Sequence, residues 1–384
     1  MPPFIPDVDP LGLYVHVPFC EAKCSYCHFA IDPRRPDEGR QERYVRAVLD
    51  EMAGAVPGIA DTLYFGGGTP SLLAPSRLGR VVGEARRWFA LAEQAEVTVE
   101  ANPRDLDEAG YRALLEVGAN RISLGLQSLD DAVLREMGRL HTAADAGAAV
   151  DQARRAGFGR VSVDLILGWP GETAERWRRN VDGIRALAPE HLSLYVLEVE
   201  GKTALSHRAA RGGLDLPDED LVADLYAETA RALEGIGLRR YEISNFARPG
   251  FESRHNAKYW DDQPFLGFGM AAHSYREGRR WWNQATFASY CAAVEEGGAA
   301  AAVAGERRLE ARERAAEAAF TGLRRVEGLD LETFRRRYGT DLIEEYGDNL
   351  RRPLASGLLE RSGERLRLTD RGVLLSNEVF QAFV

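Results

Sequence analysis

The most informative part of the sequence is Tyr14-Val-His-Val-Pro-Phe-Cys20-Glu-Ala-Lys-Cys24-Ser-Tyr-Cys27. Its first residues predict a short β-strand, and the segment that follows carries three cysteines in a C-x3-C-x2-C spacing. A disulfide framework uses an even and dispersed set of cysteines, whereas Cys20, Cys24 and Cys27 form an odd and clustered set. The fourth cysteine, Cys291, lies alone in a helix-like stretch far along the chain. We therefore predict a metal site in a reducing compartment, with Cys291 outside it.

Short β-branched strands alternate with amphipathic helices along most of the chain. The strands are predicted at Leu13–Val17, Thr62–Phe65, Val97–Glu100, Arg121–Leu126, Val161–Leu167 and His191–Val199. The helices are predicted near Glu38–Ala53, Ser76–Phe89, Leu106–Val117, Thr142–Ala156, Ala174–Ala186 and Asp218–Ile236. Six βα units in series predict an α/β fold, a partial (β/α)6 barrel of the TIM type. Functional groups of such barrels follow the carboxyl ends of the strands.

The pattern changes near residue 285, which predicts two domains, residues 1–285 and 286–384. The predicted elements of the second domain are a helix at Arg307–Arg324, a helix at Leu331–Tyr338, a hairpin at Glu360–Leu368 and a terminal helix at Asp370–Phe383. This order is typical of a small winged-helix-like α+β unit. Such units bind DNA or serve as scaffold, and the acidic chain favours the scaffold.

Composition and charge narrow the class of protein further. The 384 residues are 28% charged and carry a formal net charge of −10, which argues against a nucleic-acid partner. The amino terminus, MPPFIPDVDP, has no basic region followed by an apolar core, so it does not resemble a signal peptide. No stretch approaches the length of a transmembrane helix. We therefore expect a cytoplasmic protein.

The cysteine spacing suits one kind of metal site better than another. Three thiolates on one loop can hold three corners of a [4Fe–4S] cluster, and the fourth iron is then open to an exogenous ligand. The alternative is a zinc site of the three cysteines plus His28. Zinc ribbons bring a second pair of ligands from further along the chain, and no such pair follows here. The spacing therefore favours the cluster.

On these residues the sequence resembles the radical SAM superfamily, whose defining motif is a C-x3-C-x2-C loop after the first strand. The resemblance extends to Gly66-Gly67-Gly68-Thr69-Pro70, which directly follows the second predicted strand. It implies a [4Fe–4S] cluster with S-adenosylmethionine (SAM) on its open iron. An electron donor such as a flavodoxin or a ferredoxin is implied as well.

The resemblance also implies a set of SAM contacts. Gln127 and Asp164 are polar groups among apolar strand residues and need partners when buried. Arg139 suits the SAM carboxylate because a guanidinium pairs with a carboxylate through two hydrogen bonds. The alternative for each is a structural hydrogen bond at the mouth of the barrel. The full set of implied SAM contacts is Tyr14, Gly66, Gly67, Gly68, Thr69, Glu100, Gln127, Arg139 and Asp164.

Further motifs resemble the branch that contains oxygen-independent coproporphyrinogen III oxidase, and most closely the HemW-type heme chaperones. The motifs are Tyr14-Val-His-Val-Pro-Phe19, the H-N-x-x-Y-W string at His255–Trp260, and Phe265-Leu-Gly-Phe-Gly-Met-Ala-Ala-His273. A neutral imidazole is a common axial ligand of heme iron, and aromatic rings offer flat faces to a porphyrin. The alternative for His255 is a well-bonded structural histidine. The implied heme residues are His255, Asn256, Tyr259, Trp260 and His273.

Departures from these families refine the expected function. Coproporphyrinogen oxidases of this branch carry a further cysteine two residues after the third, and Phe29 stands there in this chain. The chaperones usually have aspartate directly after the third cysteine, and this chain has His28. The resemblance implies a chaperone that binds heme and passes it to a partner hemoprotein. The alternatives are coproporphyrinogen III oxidation and a SAM-dependent methyltransferase or cyclopropanase reaction.

Overall fold

Six parallel strands form the centre of the molecule, and their burial pattern explains why the sequence makes them. The strands are β1 (Leu11–Val17), β2 (Ala60–Gly67), β3 (Glu96–Ala101), β4 (Arg121–Gln127), β5 (Val161–Leu167) and β6 (His191–Val196). Nearly every residue of β1 and β5 is buried, on both faces of the sheet. Such strands read as continuous apolar runs and pair in parallel when helices cover them. The computed structural model describes residues 9–32, 36–199, 201 and 203–383.

Helices connect consecutive strands and cover the outside of the sheet. Those of the first two thirds of the chain are α1 (Glu38–Gly54), α2 (Pro75–Trp88), α3 (Glu108–Glu116), α4 (Asp131–Met137), α5 (Ala143–Ala156), α6 (Ala174–Leu187), α7 (Ala204–Ala210), α8 (Glu219–Glu234) and α9 (Arg254–Trp260). Side-chain caps start several of them, such as Asp37 at α1 and Asp107 at α3. The strands pair in sequence order from β1 to β6, which confirms the predicted partial barrel.

The sheet continues beyond the six predicted strands at both edges. At one edge the short strands β7 (Arg239–Arg240) and β8 (Asn245–Ala247) follow β6. At the other edge β9 (Phe265–Phe268) pairs with β1 in parallel. Three antiparallel strands extend that edge: β10 (His273–Arg276), β11 (Arg279–Asn283) and β12 (Val303–Arg308). A functional site is therefore expected at the loops that follow the carboxyl ends of the parallel strands.

A smaller α+β unit follows at the carboxyl-terminal end of the chain. Its sheet has the order β13-β15-β14, and the strands are β13 (Leu329–Asp330), β14 (Leu359–Ser362) and β15 (Arg365–Leu368). Its helices are α11 (Ala311–Gly322), α12 (Leu331–Tyr338), α13 (Leu342–Ala355), α14 (Asp370–Leu374) and α15 (Ser376–Phe380). The unit packs beside α9, where Arg325 forms an ion pair with Asp261 at 2.9 Å. The hairpin of β14 and β15 matches the predicted one.

Three sequence predictions differ from the structure in their boundaries. The helix predicted over Arg307–Arg324 begins only at Ala311, because β12 pairs with β11 through Arg308. The terminal helix predicted over Asp370–Phe383 is broken into α14, α15 and a final 3-10 turn. The sixth strand ends at Val196, since Leu197 and Val199 leave the sheet and pack on a small separate apolar cluster.

Residues 286–308 connect the two units. Helix α10 (Phe287–Gly297) packs on α1, where Arg43 forms an ion pair with Glu295 at 2.7 Å. The 3-10 turn at Ala299–Ala302 then leads into β12. The predicted domain boundary at residue 285 stays a prediction, and this segment lies against the barrel. Among the residues that the structure describes, no helix is long and apolar enough to cross a membrane.

Candidate functional site

The three clustered cysteines lie on one loop, residues 18–31, that leaves the carboxyl end of β1; we call it the cysteine loop. Backbone hydrogen bonds hold this loop against two helices. The Ser25 N–H donates to the Met137 carbonyl at 3.0 Å, and the Ser25 carbonyl accepts from the Leu205 N–H at 2.8 Å. The loop is closed by His16, whose Nε2 lies 2.7 Å from the Ala30 carbonyl oxygen. These contacts tie the loop that carries the three cysteines to the barrel.

The glycine run after β2 lies directly against the cysteine loop. The Gly68 N–H donates to the Val17 carbonyl at 2.7 Å, and a Cβ on Gly68 would meet the Phe19 carbonyl oxygen at 2.6 Å. Gly67 has a φ of +105°, which side-chain-bearing residues rarely adopt. Thr69 then contacts the Cys20 sulfur through its Oγ1 at 3.4 Å. Close packing between two loops therefore requires these glycines.

Glu100 is the carboxylate at the floor of the site. Its Oε1 accepts a hydrogen bond from the Tyr64 hydroxyl at 2.7 Å, and its Oε2 accepts one from the Gly67 N–H at 3.2 Å. Burial raises its pKa to about 7, while the two hydrogen bonds oppose that rise. Glu100 is thus poised to gain or lose a proton near neutral pH and is fixed against the glycine run.

Arg139 links three segments of the site. Its guanidinium donates to the Gly125 carbonyl at 2.7 Å, to the Asn102 side-chain oxygen, and from its other Nη to the Cys24 sulfur at 3.6 Å. Its Nε is buried and has no hydrogen-bond partner among the described residues. Arg139 also lines the cavity, where a guanidinium suits a ligand carboxylate.

Strands β4 and β5 contribute two more polar groups. Gln127 has a φ of +65° and lies at a register shift between β4 and β5. Strained or bulged positions of this kind concentrate at functional sites because they re-aim a side chain. Asp164 accepts from Ser123 at 3.3 Å, and burial raises its pKa to about 6. Gln127 and Asp164 line the same cavity as Glu100.

One cavity of about 860 Å³ joins most of the predicted residues. It opens at the carboxyl ends of the parallel strands, as the barrel fold predicts. The predicted residues that line it are Cys20, Cys24, Cys27, Gly67, Gly68, Thr69, Glu100, Gln127, Arg139 and Asp164. Tyr14 and Gly66 are not among the lining residues. Tyr14 stacks on Tyr64 with 6.2 Å between ring centroids, and its hydroxyl lies 3.2 Å from His16 Nδ1.

The three cysteines fit an iron–sulfur cluster. They line one cavity together. Burial and the neighbouring thiols raise the pKa of Cys20 to about 11, and the hydrogen bond with Thr69 opposes that rise. Each thiolate of a [4Fe–4S] cluster binds a different iron, so three cysteines on one loop can hold three of its corners. The donor set therefore suits the cluster.

The H-N-x-x-Y-W motif lies at the opposite end of the barrel. Helix α9 carries it against the amino-terminal ends of the strands, where Lys258 Nζ contacts Asp61 at 2.8 Å and the Pro10 carbonyl at 2.7 Å. His255 is 1% exposed, with Nδ1 2.9 Å from Thr62 Oγ1 and Nε2 2.9 Å from the Tyr259 hydroxyl. Burial lowers its pKa to about 3. Both ring nitrogens are engaged, which favours the structural alternative for His255.

The remaining heme residues from the sequence analysis also lie away from the cavity. The Asn256 N–H bonds to the Ser253 cap at 3.3 Å. Trp260 contacts the carboxyl-terminal unit, where the Arg324 guanidinium lies 4.3 Å from its ring centroid. His273 is exposed on β10 and lies 6.1 Å from the Trp282 ring, between centroids. The structure therefore groups the motif on α9 and separates it from His273.

Two residues of the site were not predicted from the sequence. Asn102 bridges Arg139 and Thr69, donating to Thr69 Oγ1 at 3.2 Å, and Ser123 donates to Asp164. Asn102 follows Glu100 by two residues, so its position after a predicted strand was a usable signal. Ser123 had no such signal, because a small hydroxyl inside a buried strand is common. Both are positioned by strands that the sequence did predict.

Comparisons with known proteins identify the class to which this chain belongs. The family model of the radical SAM superfamily matches residues 14–182, and that of the HemN C-terminal domain matches residues 309–375. Coproporphyrinogen III oxidase (HemN) from Escherichia coli, a solved structure, has a TM-score of 0.83 and 24% identity over 98% of this chain and 90% of its own. That likeness concerns the fold. Fold, cysteine loop and family model together define a radical SAM protein.

Relatives over the full length place the chain within that superfamily. Three proteins named heme chaperone HemW are similar: 37% identity in Mycobacterium tuberculosis, 35% in Bacillus subtilis and 34% in Lactococcus lactis. The matches cover 98%, 97% and 98% of this chain and 95%, 98% and 97% of the relatives. The chain belongs to the HemW family of radical SAM proteins. Membership implies a [4Fe–4S] cluster and SAM as cofactors.

Proposed function

We propose that this protein is a cytoplasmic heme chaperone, which binds heme and transfers it to a partner hemoprotein. The observation that carries the proposal is the full-length similarity to proteins named heme chaperone HemW, which spans the barrel and the carboxyl-terminal unit alike. Phe29 supports it, because a further cysteine at that position is expected of a coproporphyrinogen oxidase. Heme binding and transfer are the parts of the proposal that need direct measurement.

The cavity floor is proposed as the cofactor site. Cys20, Cys24 and Cys27 would hold the cluster, leaving one iron for the amino and carboxylate groups of SAM. When bound and reduced, the cluster would supply the electron that cleaves a C–S bond of the SAM sulfonium. The electron would come from a flavodoxin or a ferredoxin. The remaining proposed SAM residues of the floor are Gly67, Gly68, Thr69, Glu100, Gln127, Arg139 and Asp164.

The chain's own residues orient the ligand in this proposal. Arg139 lines the cavity and offers its guanidinium to the SAM carboxylate, and Asn102 holds that guanidinium in place. Glu100, fixed by Tyr64, accepts from ribose or ammonium groups and carries a proton for part of the time near neutral pH.

Two parallel anaerobic assays test the function. In the first, heme-loaded and cluster-containing protein is mixed with an apo-hemoprotein, and transfer is followed by the absorbance of the acceptor. In the second, coproporphyrinogen III, SAM and reductant are supplied, and porphyrins are separated by chromatography. The proposal expects heme transfer and unchanged coproporphyrinogen. Decarboxylated product without heme transfer would instead establish a coproporphyrinogen oxidase.

A further inference from the structure

Four large apolar side chains of the cavity lining are exposed. Phe29 is 56% exposed, Leu140 55%, and Tyr195 and Val196 45% each, and all four line the cavity. We call these four residues the mouth patch. They account for four of the ten large apolar side chains exposed in the part of the chain that the structure describes. Scattered exposed apolar residues are normal, whereas a set gathered at one opening marks a ligand or partner surface.

The mouth patch comes from three separate segments of the chain. Phe29 belongs to the cysteine loop, Leu140 follows α4, and Tyr195 and Val196 end β6. None of these segments needs an exposed apolar residue for its own folding, since the buried residues of the same segments already fill the core. The floor beneath is polar and is assigned to the cluster and SAM. The mouth patch is therefore left for a different, flat and apolar ligand.

One histidine lies beside the mouth patch. Four of the seven histidines are buried, namely His16, His141, His191 and His255. Of the three others, His28 alone lines the cavity. Its ring stacks on Phe29 with 5.1 Å between centroids and 28° between planes, and no hydrogen bond ties it to another described residue. Its imidazole is therefore open to a metal ion above the mouth.

A basic group completes the surroundings of the opening. Arg104 is exposed and lines the cavity, and its Nη1 donates to the Leu140 carbonyl at 2.7 Å. That hydrogen bond fixes the guanidinium next to an apolar member of the mouth patch and leaves further N–H donors unused. Arginine is the side chain best suited to pair with a carboxylate at such a place. The opening thus offers apolar faces, an imidazole and a carboxylate partner.

We propose that heme docks on the mouth patch with His28 as an axial ligand and Arg104 on a propionate. Apolar and aromatic faces match the macrocycle, and neutral imidazole is a common ligand of heme iron. This inference rests on the proposed function, because it names the heme site of the proposed chaperone. It also accounts for the closed environment of His255, which offers no free nitrogen. Heme at this place would cover the opening that leads to the SAM floor.

The test is a hemin titration of anaerobically reconstituted protein with SAM present, followed by the Soret band. His28→Ala should lose the histidine-ligated spectrum and weaken heme affinity by more than about tenfold. Val196→Asp, which leaves the cysteine loop intact, should weaken affinity by about tenfold because it puts a charge against the macrocycle. His273→Ala should bind heme like wild type. Iron and sulfide content and SAM affinity of each variant serve as folding controls.

The outcomes separate this inference from the proposed function. Wild-type binding with unchanged His28→Ala and Val196→Asp titrations would overturn the inference and leave the chaperone function standing. Loss of binding in His273→Ala would move the site to β10 and overturn it as well. If His28→Ala loses its cluster, Val196→Asp decides alone. Absence of heme binding by wild-type protein would contradict the proposed function itself.

Discussion

Arg139 is a half-buried residue whose guanidinium contacts Gly125, Asn102 and Cys24 in three segments of the site. Replacement by lysine keeps the charge and removes the planar fork, so we expect SAM affinity to fall by about tenfold or more. Equilibrium dialysis of labelled SAM against reconstituted protein measures this. Arg135→Lys is the matched control, because Arg135 is an exposed arginine about one turn earlier in the same connection. Equal SAM affinities of both variants would contradict the role of Arg139.

Cys291 differs from the other three cysteines in its surroundings. It is fully buried on α10, and burial raises the pKa of its thiol to about 11. We expect Cys291→Ser to retain the cluster, whereas Cys24→Ser should lose it. Iron and sulfide analysis after anaerobic reconstitution, with the visible absorbance of the cluster, measures both. A Cys291→Ser protein with less than half of the wild-type iron would show that the fourth thiol takes part.

His255 is expected to act on stability. Its ring stacks on the rings of Tyr64 and Tyr14, with 5.1 Å and 6.4 Å between centroids. Its two nitrogens lie within hydrogen-bond distance of Thr62 and Tyr259. His255→Ala should lower the free energy of unfolding by about 3 kcal/mol, through a cavity and two unpaired hydroxyl groups. Urea unfolding measures the loss. A variant of wild-type stability that has lost its heme spectrum would reverse this assignment.

The residues predicted to contact SAM mostly line one cavity, whereas those predicted to contact heme do not, and the difference has a physical reason. Cysteine spacing and a glycine run are local patterns, and a parallel barrel brings every strand end to one opening. The orientation of α9 depends on contacts with residues distant in sequence, because Lys258 and Arg254 both pair with Asp61 at the amino-terminal ends of the strands. The string His255–Trp260 therefore identified the family correctly while its place in the barrel could not be deduced from spacing.

At the scale of elements, Glu51 connects α1 to α10 and to the turn after β9. Its carboxylate accepts hydrogen bonds from the Tyr290 hydroxyl at 2.6 Å, the Asn283 amide at 2.6 Å and the Gly269 N–H at 2.9 Å. Burial, opposed by these hydrogen bonds, raises its pKa to about 7. A buried carboxyl group with three donors fixes the two helices to the sheet and makes their packing sensitive to pH.

The sign of that pH dependence follows from linkage. The pKa of a glutamate in the unfolded chain is about 4.3. At pH values between about 4.3 and about 7, the folded protein therefore binds more protons at Glu51 than the unfolded chain does. The contribution of Glu51 to stability is therefore complete at low pH and is lost as the pH rises through 7. Glu51→Gln lacks this contribution. Urea unfolding of both proteins at pH 5 and pH 8 should show wild type losing stability relative to the variant; a constant difference would contradict the assignment.

Element boundaries were harder to predict where pairing partners are distant. The helix predicted over Arg307–Arg324 included Arg307 and Arg308, yet these residues pair with β11 in an edge strand, through Arg280 and Arg279. Helix α13 was not predicted, and Pro353 lies inside its last turn. Propensity describes a segment alone, and tertiary pairing overrode it in the first case.

At the scale of the whole molecule, the carboxyl-terminal unit packs on the end of the barrel that lies opposite the cavity. Glu242 is fully buried and pairs with Arg324 at 3.1 Å, while that guanidinium also lies over Trp260. Arg324→Ala should destabilise the protein by about 3 kcal/mol because it leaves a buried carboxylate without its cation. Limited proteolysis should then cut the variant faster between the two units. The exposed pair of Arg312 and Glu345 gives the control, since Arg312→Ala should change little.

We propose two adjoining binding regions at one end of the molecule, the polar floor for the cluster and SAM and the mouth patch for heme, while contacts that stabilise the fold lie at the other end. The central claim is that a cluster-containing HemW-family protein binds heme as cargo. Its most direct test is the heme stoichiometry of anaerobically reconstituted protein, from the Soret absorbance and a pyridine hemochromogen assay. We predict saturation at about one heme per chain with about four cluster irons retained. A fully reconstituted protein whose Soret absorbance never saturates, or stays that of free hemin, would contradict the account.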